Sequence, residues 1–198
     1  MLTPIPIDLE TTHLEADQGV ILEFAMVLVD RDLNFVEDFG SRVVHATEEQ
    51  LDVMNPFVRQ MHTETGLLDE VRASTLSIDS VDEEAAGWLL GHGFDAERSG
   101  IILGSSCRLD LNFIERHMPK LAGLLTYKMI DVSGIEEALR MWQPEMVPPE
   151  PYEIAMKEGW TAHRAANDIR WSLEKARGQR SAIKAAFGLD AETTGACR

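Results

Sequence analysis

Two strand-like stretches near the start of the chain dominate its hydrophobic pattern. Residues 19–30 (GVILEFAMVLVD) are almost continuously apolar, as in a strand buried on both faces, and residues 35–45 (FVEDFGSRVVH) are strand-like but more polar. Only residues 31–34 separate them. Because so short a link joins antiparallel neighbours, we predict two adjacent antiparallel strands here.

Helical signals follow these strands. Asn55 and Pro56 match an N-cap with proline in the first turn of a helix. Residues 80–83 (SVDE) match a capping box, which predicts a helix that opens there and runs through Leu90.

The pattern then alternates between strands and helices. Residues 101–104 (IILG) predict a buried strand, and residues 127–131 predict a short one. Helical spacing comes after each strand, first at Leu111, Ile114 and Met118, then at Ile135, Ala138, Leu139 and Trp142. Strands that alternate with helices indicate an α/β protein.

The last part of the chain combines a loop with a helix. Residues 143–160 contain four prolines, which excludes a long regular element and predicts a loop. A final amphipathic helix is predicted to carry Asp168, Ile169, Leu173 and Ala176. The length of 198 residues suits one domain, which we place over residues 1–187, with a frayed tail over residues 188–198.

Composition narrows the function. The formal net charge of −16 argues against a protein that holds long nucleic acid through many phosphate contacts, since that mode needs clustered lysine and arginine. A small anionic substrate held through metal ions remains allowed. Cys107 and Cys197 support neither a disulfide framework nor a structural zinc site. Neither a membrane-spanning run nor a secretion signal is recognisable, so we expect a cytoplasmic protein.

The first apolar run ends in two acidic residues, Asp8 and Glu10. Residues two apart on a strand point to the same face, so both carboxylates can converge on one point that would attract a hard divalent cation. The pair alone is a weak signal, because strand ends often carry acidic residues that face water.

Three downstream residues strengthen the metal-site hypothesis. Asp110 begins the helix after the 101–104 strand, and in a parallel sheet the strand ends and the following helix starts line one edge. His163 and Asp168 stand five residues apart beside the final helix. Ordinary alternatives exist: a first-turn acid, a solvated helix face and a satisfied polar histidine. The order of strand Asp-x-Glu, helix Asp and His-x4-Asp favours the functional interpretation.

At these residues the chain resembles the oligoribonucleases, members of the DEDDh exonuclease superfamily, which is named after four acidic residues and one histidine. The resemblance extends over roughly residues 5–183 and suggests a divergent bacterial or phage version. Further segments match the family in its usual order: residues 8–12 (DLETT), 61–67 (MHTETGL), 104–110 (GSSCRLD), 127–133 (YKMIDVS), 142–145 (WQPE) and 168–170 (DIR).

The resemblance implies a ribonuclease H-like α/β fold: a mixed five-stranded sheet with an antiparallel second strand and helices on both faces. It also implies 3′-to-5′ hydrolysis of very short RNA, dinucleotides especially, to mononucleotides. His163 would act as the general base, and two divalent ions, Mg²⁺ or Mn²⁺, would be held by Asp8, Glu10, Asp110 and Asp168. The chemistry agrees, because two ions can serve both the nucleophile and the leaving oxygen, and imidazole changes charge near neutral pH.

Other positions match family residues that bind the substrate. Leu14 matches a leucine that wedges between two bases, Phe57 an aromatic residue that stacks on a base, and His62 a histidine near the nucleotide. Tyr127 matches a tyrosine that reaches into the partner's site in a homodimer. Without the resemblance, Leu14, Phe57 and Tyr127 would be interpreted as core residues. Ser106, Lys128 and Ser133 match the family residues that form a cap over the 5′ phosphate.

The chain departs from the family at several positions. The usual Gly, Asn, Gln and Arg are replaced by His13, Ser105, Leu109 and Lys128. Lysine cannot make the planar two-pronged phosphate contact of arginine, which leaves open how strict the dinucleotide preference is. The proline-rich loop also exceeds the usual length. Pro4 and Pro6 are awkward in a central strand, because each lacks an N–H.

Two rival classes remain. A related DEDDh exonuclease that trims the 3′ ends of DNA or longer RNA would share the five catalytic positions but lack the 61–67 segment and the Tyr127 cap. A non-catalytic nucleotide-binding protein would be expected to have lost a metal carboxylate. None is lost here, so the sequence favours an enzyme of the oligoribonuclease type.

Overall fold

A five-stranded sheet forms the centre of the protein, which a computed structural model describes over residues 2–95 and 100–189. The strand order is β3-β2-β1-β4-β5. The strands are β1 (Thr3–Thr11), β2 (Ile21–Val29), β3 (Phe35–Val43), β4 (Gly100–Gly104) and β5 (Leu125–Asp131). Strand β2 is antiparallel to both of its neighbours, whereas β4 is parallel to β1 and β5. The predicted mixed sheet with its antiparallel second strand is confirmed.

Helices connect the strands and cover the sheet. Between β3 and β4 lie α1 (Glu48–Leu51), α2 (Pro56–Glu64), α3 (Leu67–Ala73) and α4 (Ile78–Gly91). The helices between β4 and β5 are α5 (Arg108–His117) and α6 (Pro119–Ala122). After β5 come α7 (Val132–Trp142), a short 3-10 turn (Pro144–Met146), α8 (Tyr152–Glu158) and α9 (Ala165–Ala186).

Strand β2 shows why the sheet needs helices on both faces. All nine of its residues are buried. Phe24 and Met26 belong to the core shared with α4 and α5, whereas Ala25 and Val27 belong to the core shared with α9. Successive residues of a strand point to opposite faces, so a continuous apolar run is buried only between two helical layers. The predicted cover on both faces is confirmed.

Strand β1 divides its pairing between two neighbours. Residues 3–6 pair with β4, and residues 7–11 pair with β2. Pro4 and Pro6 therefore lie in the half of the strand that has no β2 partner, where the missing N–H costs no hydrogen bond to β2. This division explains how two prolines fit in a central strand.

The two predicted helix starts have different outcomes. Asn55 caps α2, and its side chain accepts a hydrogen bond from the Val58 N–H at 3.0 Å, as predicted. Helix α4 is capped by Ser77, whose Oγ accepts from the Ser80 N–H at 3.2 Å. The predicted start at Ser80 is therefore wrong by about one turn. The earlier start adds Ile78, which packs against the core.

The proline-rich stretch is only partly a loop. Helix α8 forms within it, directly after Pro151 at its N-cap, a position that proline tolerates. Tyr152 contacts Trp171 of α9 edge to face, with ring centroids 5.2 Å apart, and this contact holds the short helix against α9. No long element forms, as predicted, but the prediction of a plain loop is wrong for residues 152–158.

The described helices include none that is long and apolar enough to cross a membrane. Most of the predicted tail, residues 190–198, lies outside the described residues, and Cys197 lies there too. Cys107 is buried at the start of α5.

Candidate active site

The carboxyl half of β1 presents two acidic side chains to the same face of the sheet. Asp8 and Glu10 alternate with Ile7 and Leu9, whose side chains belong to the core on the opposite face. Glu10 is buried, and Asp8 is half-buried. The alternation that the sequence predicts for this strand therefore points both carboxylates away from the α4 and α5 side.

Asp110 reaches β1 between these two carboxylates. It lies in the first turn of α5, and its Oδ1 accepts a hydrogen bond from the Leu9 N–H at 3.0 Å. Gly104 allows β1 and the start of α5 to approach so closely. A Cβ at this glycine would lie 3.1 Å from both the Ile7 carbonyl oxygen and the Cys107 Cβ. The structure therefore brings Asp110 to the β1 pair.

The segment before α9 completes the cluster. One potential ligand atom from each of Glu10, His163 and Asp168 lies within 4.8 Å of the other two. Asp168 Oδ2 also accepts a hydrogen bond from the His163 N–H at 3.0 Å, which ties the histidine to the start of α9. His163 is exposed, so a substrate can reach its ring.

Burial raises the pKa of all four carboxyl groups, and repulsion from the others adds to the shift of Asp8 and Glu10. Burial is the largest cause in every case, and it raises the pKa of Glu10 to about 8 and that of Asp168 to about 6. For Asp8, burial is followed by repulsion from the other three, which also raises its pKa. The pKa of Asp110 is raised by burial, although the Leu9 N–H opposes the shift.

This set of donors fits hard divalent cations. Four carboxylates supply oxygen ligands, which Mg²⁺ prefers, and Mn²⁺ accepts both these and an imidazole nitrogen. Raised carboxyl pKa values mean that the charged forms lack compensation, and a cation supplies it. The residues present can therefore hold the metal that the family resemblance implies.

Leu14, Phe57 and Tyr127 are exposed rather than core. Their exposed fractions are 71%, 74% and 71%. The core interpretation of these residues is therefore wrong. Phe57 and His163 line the same cleft of about 420 Å³, so a base stacked on the phenyl ring would lie beside the histidine.

Two of the three predicted phosphate-cap residues, Ser106 and Ser133, meet at Asp131. Its Oδ1 accepts hydrogen bonds from the N–H groups of Ser106 at 3.1 Å and Ser133 at 3.0 Å. Asp131 thereby caps α7 and brings the two serines together. The sequence signal for this role is an aspartate directly before a helix. Lys128 lies nearby in the chain, exposed on β5.

His62 is fully buried behind Glu10 and does not line the open cleft. Its Nε2 lies 3.0 Å from the Thr11 carbonyl oxygen, and therefore donates to it. Its Nδ1 lies 3.8 Å from Glu10 Oε2 and has no hydrogen-bond partner among the described residues. Burial lowers the pKa of His62. Direct contact between this ring and a nucleotide stays a prediction.

Three departures from the family pattern make local contacts. The His13 ring accepts a hydrogen bond from the Glu15 N–H at 3.0 Å and so shapes the loop that carries Leu14. The Ser105 hydroxyl lies 2.8 Å from that of Ser172 on α9. Leu109 packs against the core.

Glu23 and Arg164 are two residues of the site that no sequence motif singles out. Glu23 is buried on β2 directly opposite Glu10. Arg164 follows His163 and forms an ion pair with Glu23 at 3.0 Å. One signal was available, because Glu23 interrupts an otherwise apolar strand, and a charged residue in such a strand needs a partner.

Known proteins similar to this chain include several enzymes. Residues 5–175 match the RNase_T exonuclease family. An oligoribonuclease from Corynebacterium diphtheriae is 41% identical over 169 residues, which are 85% of this chain and 77% of that protein. An oligoribonuclease from Mycobacterium sp. (strain KMS) is 39% identical over 169 residues, which are 85% of this chain and 75% of that protein.

Solved structures of exonuclease I share the fold. A product-bound exonuclease I has a TM-score of 0.67 at 16% identity, with 95% of this chain and 46% of that one covered. Exonuclease I from Methylocaldum szegediense has a TM-score of 0.67 at 15% identity, with 95% and 43% covered. The chain thus spans less than half of these larger proteins, and the likeness confirms the ribonuclease H-like fold alone. From the family match and the relatives at about 40% identity, the chain belongs to the exonuclease family and, within it, to the oligoribonucleases.

Proposed function

We propose that this chain removes nucleotides from the 3′ end of very short RNA, with dinucleotides as its preferred substrates. Membership of the oligoribonuclease family makes it a metal-dependent 3′-to-5′ exoribonuclease. The observation that carries the proposal is the convergence of Glu10, His163 and Asp168 beside a cleft lined by the exposed Phe57.

Two divalent ions, Mg²⁺ or Mn²⁺, would be held by Asp8, Glu10, Asp110 and Asp168. When bound, such ions favour deprotonation of a water nucleophile and stabilise negative charge on the leaving oxygen. The raised pKa values of these carboxyl groups support the assignment, because burial and repulsion disfavour their charged forms and a bound cation would favour those forms again.

His163 would accept the proton that the attacking water loses. Its side chain is exposed at the cleft, and imidazole takes up a proton near neutral pH. The hydrogen bond from its backbone N–H to Asp168 keeps the histidine beside a carboxylate of the proposed metal site.

Hydrophobic side chains and the cap would bind the nucleotide. Leu14 and Phe57 offer apolar surface to the bases, and stacking tolerates any base. Ser106, Lys128 and Ser133 would contact the 5′ phosphate. A site of this kind needs no long basic groove, in keeping with the net charge of −16. The expected cytoplasmic location stays a prediction.

Length-resolved hydrolysis tests the proposed function. Purified protein would be incubated with labelled RNAs of two to ten nucleotides and Mn²⁺. We expect the dinucleotide to be cleaved fastest and all cleavage to stop in excess EDTA. Turnover in EDTA would contradict metal dependence, and equal rates at all lengths would favour the rival that trims longer 3′ ends.

A matched pair of substitutions locates the activity. Asp8→Asn keeps the shape of the side chain but removes a proposed ligand charge, and should abolish hydrolysis with an unchanged circular dichroism spectrum. Asp79→Asn changes an exposed acid in the first turn of α4 and should leave the rate unchanged. Equal activity of the two variants would exclude Asp8 from the site.

A further inference from the structure

Two buried carboxylates lie opposite each other at the edge of the site. Glu23 of β2 pairs with Glu10 of β1, and both are almost completely buried. Like charges opposite each other on neighbouring strands repel, and a buried carboxylate without a partner is costly. Glu10 belongs to the proposed metal site, so Glu23 needs a cation of its own.

Arg164 is the cation that pairs with Glu23. Its Nε and Nη2 donate to the two carboxylate oxygens of Glu23 at 3.0 and 3.1 Å, as a two-pronged fork. Its Nη1 and Nη2 donate to Glu70 of α3 at 3.0 and 2.7 Å. The Ala165 N–H also donates to Glu23, at 3.2 Å. Five hydrogen bonds therefore anchor residues 164 and 165 to β2 and α3.

The anchored residues come directly after His163, whose backbone is strained. Its φ of 61° is left-handed, a conformation that is unfavourable for a residue other than glycine. Such a conformation persists only where the surrounding structure holds it. The Arg164 anchor on one side and the hydrogen bond to Asp168 supply that restraint.

We propose that Glu23 and Arg164 are positioning residues that hold His163 in the orientation a general base requires. The inference rests on the proposed hydrolytic function. Neither side chain is assigned to the metal or to the reacting atoms: Glu23 acts through Arg164, and Arg164 acts through the backbone of His163. The bonds to Glu70 extend the same anchor to α3, the helix that follows the one carrying Phe57.

A double-mutant cycle with His163→Ala tests this role. Arg164→Ala should lower kcat on a dinucleotide by about 10–100-fold, the scale expected for residues that orient groups of a metal site, with KM little changed. His163→Ala alone should lower kcat by about 10²–10⁴-fold. In the His163→Ala background, Arg164→Ala should cost little more, because the group that it positions is already gone. Equal fold losses in both backgrounds would overturn the proposal.

Chemical rescue is a second test, because added cations would not restore kcat if Arg164 only stabilised the fold. Added guanidinium-type cations, such as ethylguanidine, should restore part of the kcat of Arg164→Ala but none of that of His163→Ala. Arg164→Lys keeps the charge without the fork and should lie between wild type and Arg164→Ala. Glu23→Gln should change kcat in the same direction as Arg164→Ala.

Arg72→Ala is the matched control. Arg72 makes a comparable fork with Glu48, at 2.7 and 3.2 Å, between the exposed surfaces of α3 and α1. Its loss should leave kcat unchanged, because exposed ion pairs contribute little and this one does not touch residues 163–165. A loss equal to that of Arg164→Ala would overturn the specific link to His163.

Two further measurements separate the possible failures. A wild-type protein without activity on any RNA would contradict the proposed function itself, whereas an active wild type with an equally active Arg164→Ala variant would overturn only the anchor. Mn²⁺ affinity, measured by isothermal titration calorimetry, should be retained in Arg164→Ala. A loss of affinity would show that Arg164 acts on the metal site rather than on His163, and would overturn the proposal. If Arg164→Ala does not fold, Arg164→Lys enters the same cycle.

Discussion

At the residue scale, burial raises the pKa of individual carboxyl groups, so that their charged forms need a nearby cation. Glu10, with its pKa raised to about 8, holds a proton at neutral pH when no cation is near. Since a metal ligand must be deprotonated, metal binding should release protons and should tighten as the pH rises. The same shift couples folding stability to pH.

We expect the metal-free protein to lose stability between about pH 5 and pH 8. The pKa of Glu10 is raised from 4.5 to about 8 and that of Asp168 from 3.8 to about 6. Between the unfolded and folded values the folded state binds more protons, so the free energy of unfolding falls as the pH rises. The loss should be on the order of 5 kcal/mol from Glu10 alone, since its pKa rises from 4.5 to about 8 and one pKa unit corresponds to about 1.4 kcal/mol. Urea unfolding in EDTA measures it.

Two additions make this pH test specific. Mn²⁺ at pH 8 should restore the lost free energy of unfolding, because it binds the deprotonated folded site. Glu10→Gln should flatten the pH dependence, whereas Glu49→Gln, at an exposed position in the first turn of α1, should preserve it. An unchanged slope in Glu10→Gln would show that other groups cause the dependence.

At the element scale, competing local signals decide where a helix begins. Two serines, at positions 77 and 80, lie around the start of helix α4, and either can serve as an N-cap in a sequence pattern. Ser77 takes the position, while the Ser80 hydroxyl donates back to the Ser77 carbonyl. The packing of Ile78 against the core favours the longer helix.

Substitution of each serine tests this assignment. Ser77→Ala should lower the free energy of unfolding by about 1 kcal/mol, because the Ser80 N–H loses its acceptor. Ser80→Ala should have a smaller effect, since it lies inside the first turn and caps nothing. Denaturant unfolding of both variants compares them directly, and a larger loss in Ser80→Ala would restore the capping-box interpretation.

At the scale of the whole molecule, an exposed aromatic on an edge strand points to a partner. Tyr127 lies on β5 at one edge of the sheet and is largely exposed. The family resemblance places such a tyrosine over the nucleotide of a neighbouring subunit. A cap of this kind would block the 5′ side and restrict the enzyme to short RNA without a basic groove.

We predict a two-fold homodimer whose interface includes residues 124–133, with each Tyr127 completing the partner's site. Light scattering after size-exclusion chromatography measures the assembly. Tyr127→Ala should slow dinucleotide cleavage while preserving the fold. Phe35→Ala, an exposed aromatic on β3 at the opposite edge, should leave the rate unchanged. A monomer with full dinucleotide activity, or rates on two and ten nucleotides that the Tyr127 change does not alter, would refute the cap.

Local pattern by itself determined most of the architecture and the identity of the acidic cluster. The apolar run of β2, the short link to β3 and the strand-helix alternation after residue 100 depend on side-chain periodicity, which neighbouring residues carry. Asp8 and Glu10 share a face because a strand has a period of two. The helical position of Asp110 follows equally from its place after a strand.

Tertiary packing alone decided which side chains meet across the chain. Glu23 and Arg164 are 141 residues apart, and no local period encodes their ion pair or its contact with the His163 segment. The burial of His62, the exposure of Leu14 and Phe57, and the stabilisation of α8 by Trp171 likewise depend on what the folded chain brings near. Side-chain chemistry and periodicity belong to a short segment of the chain and can be read from its sequence. Burial and pairing depend on how the sheet and the helical layers pack together, so they required the structure.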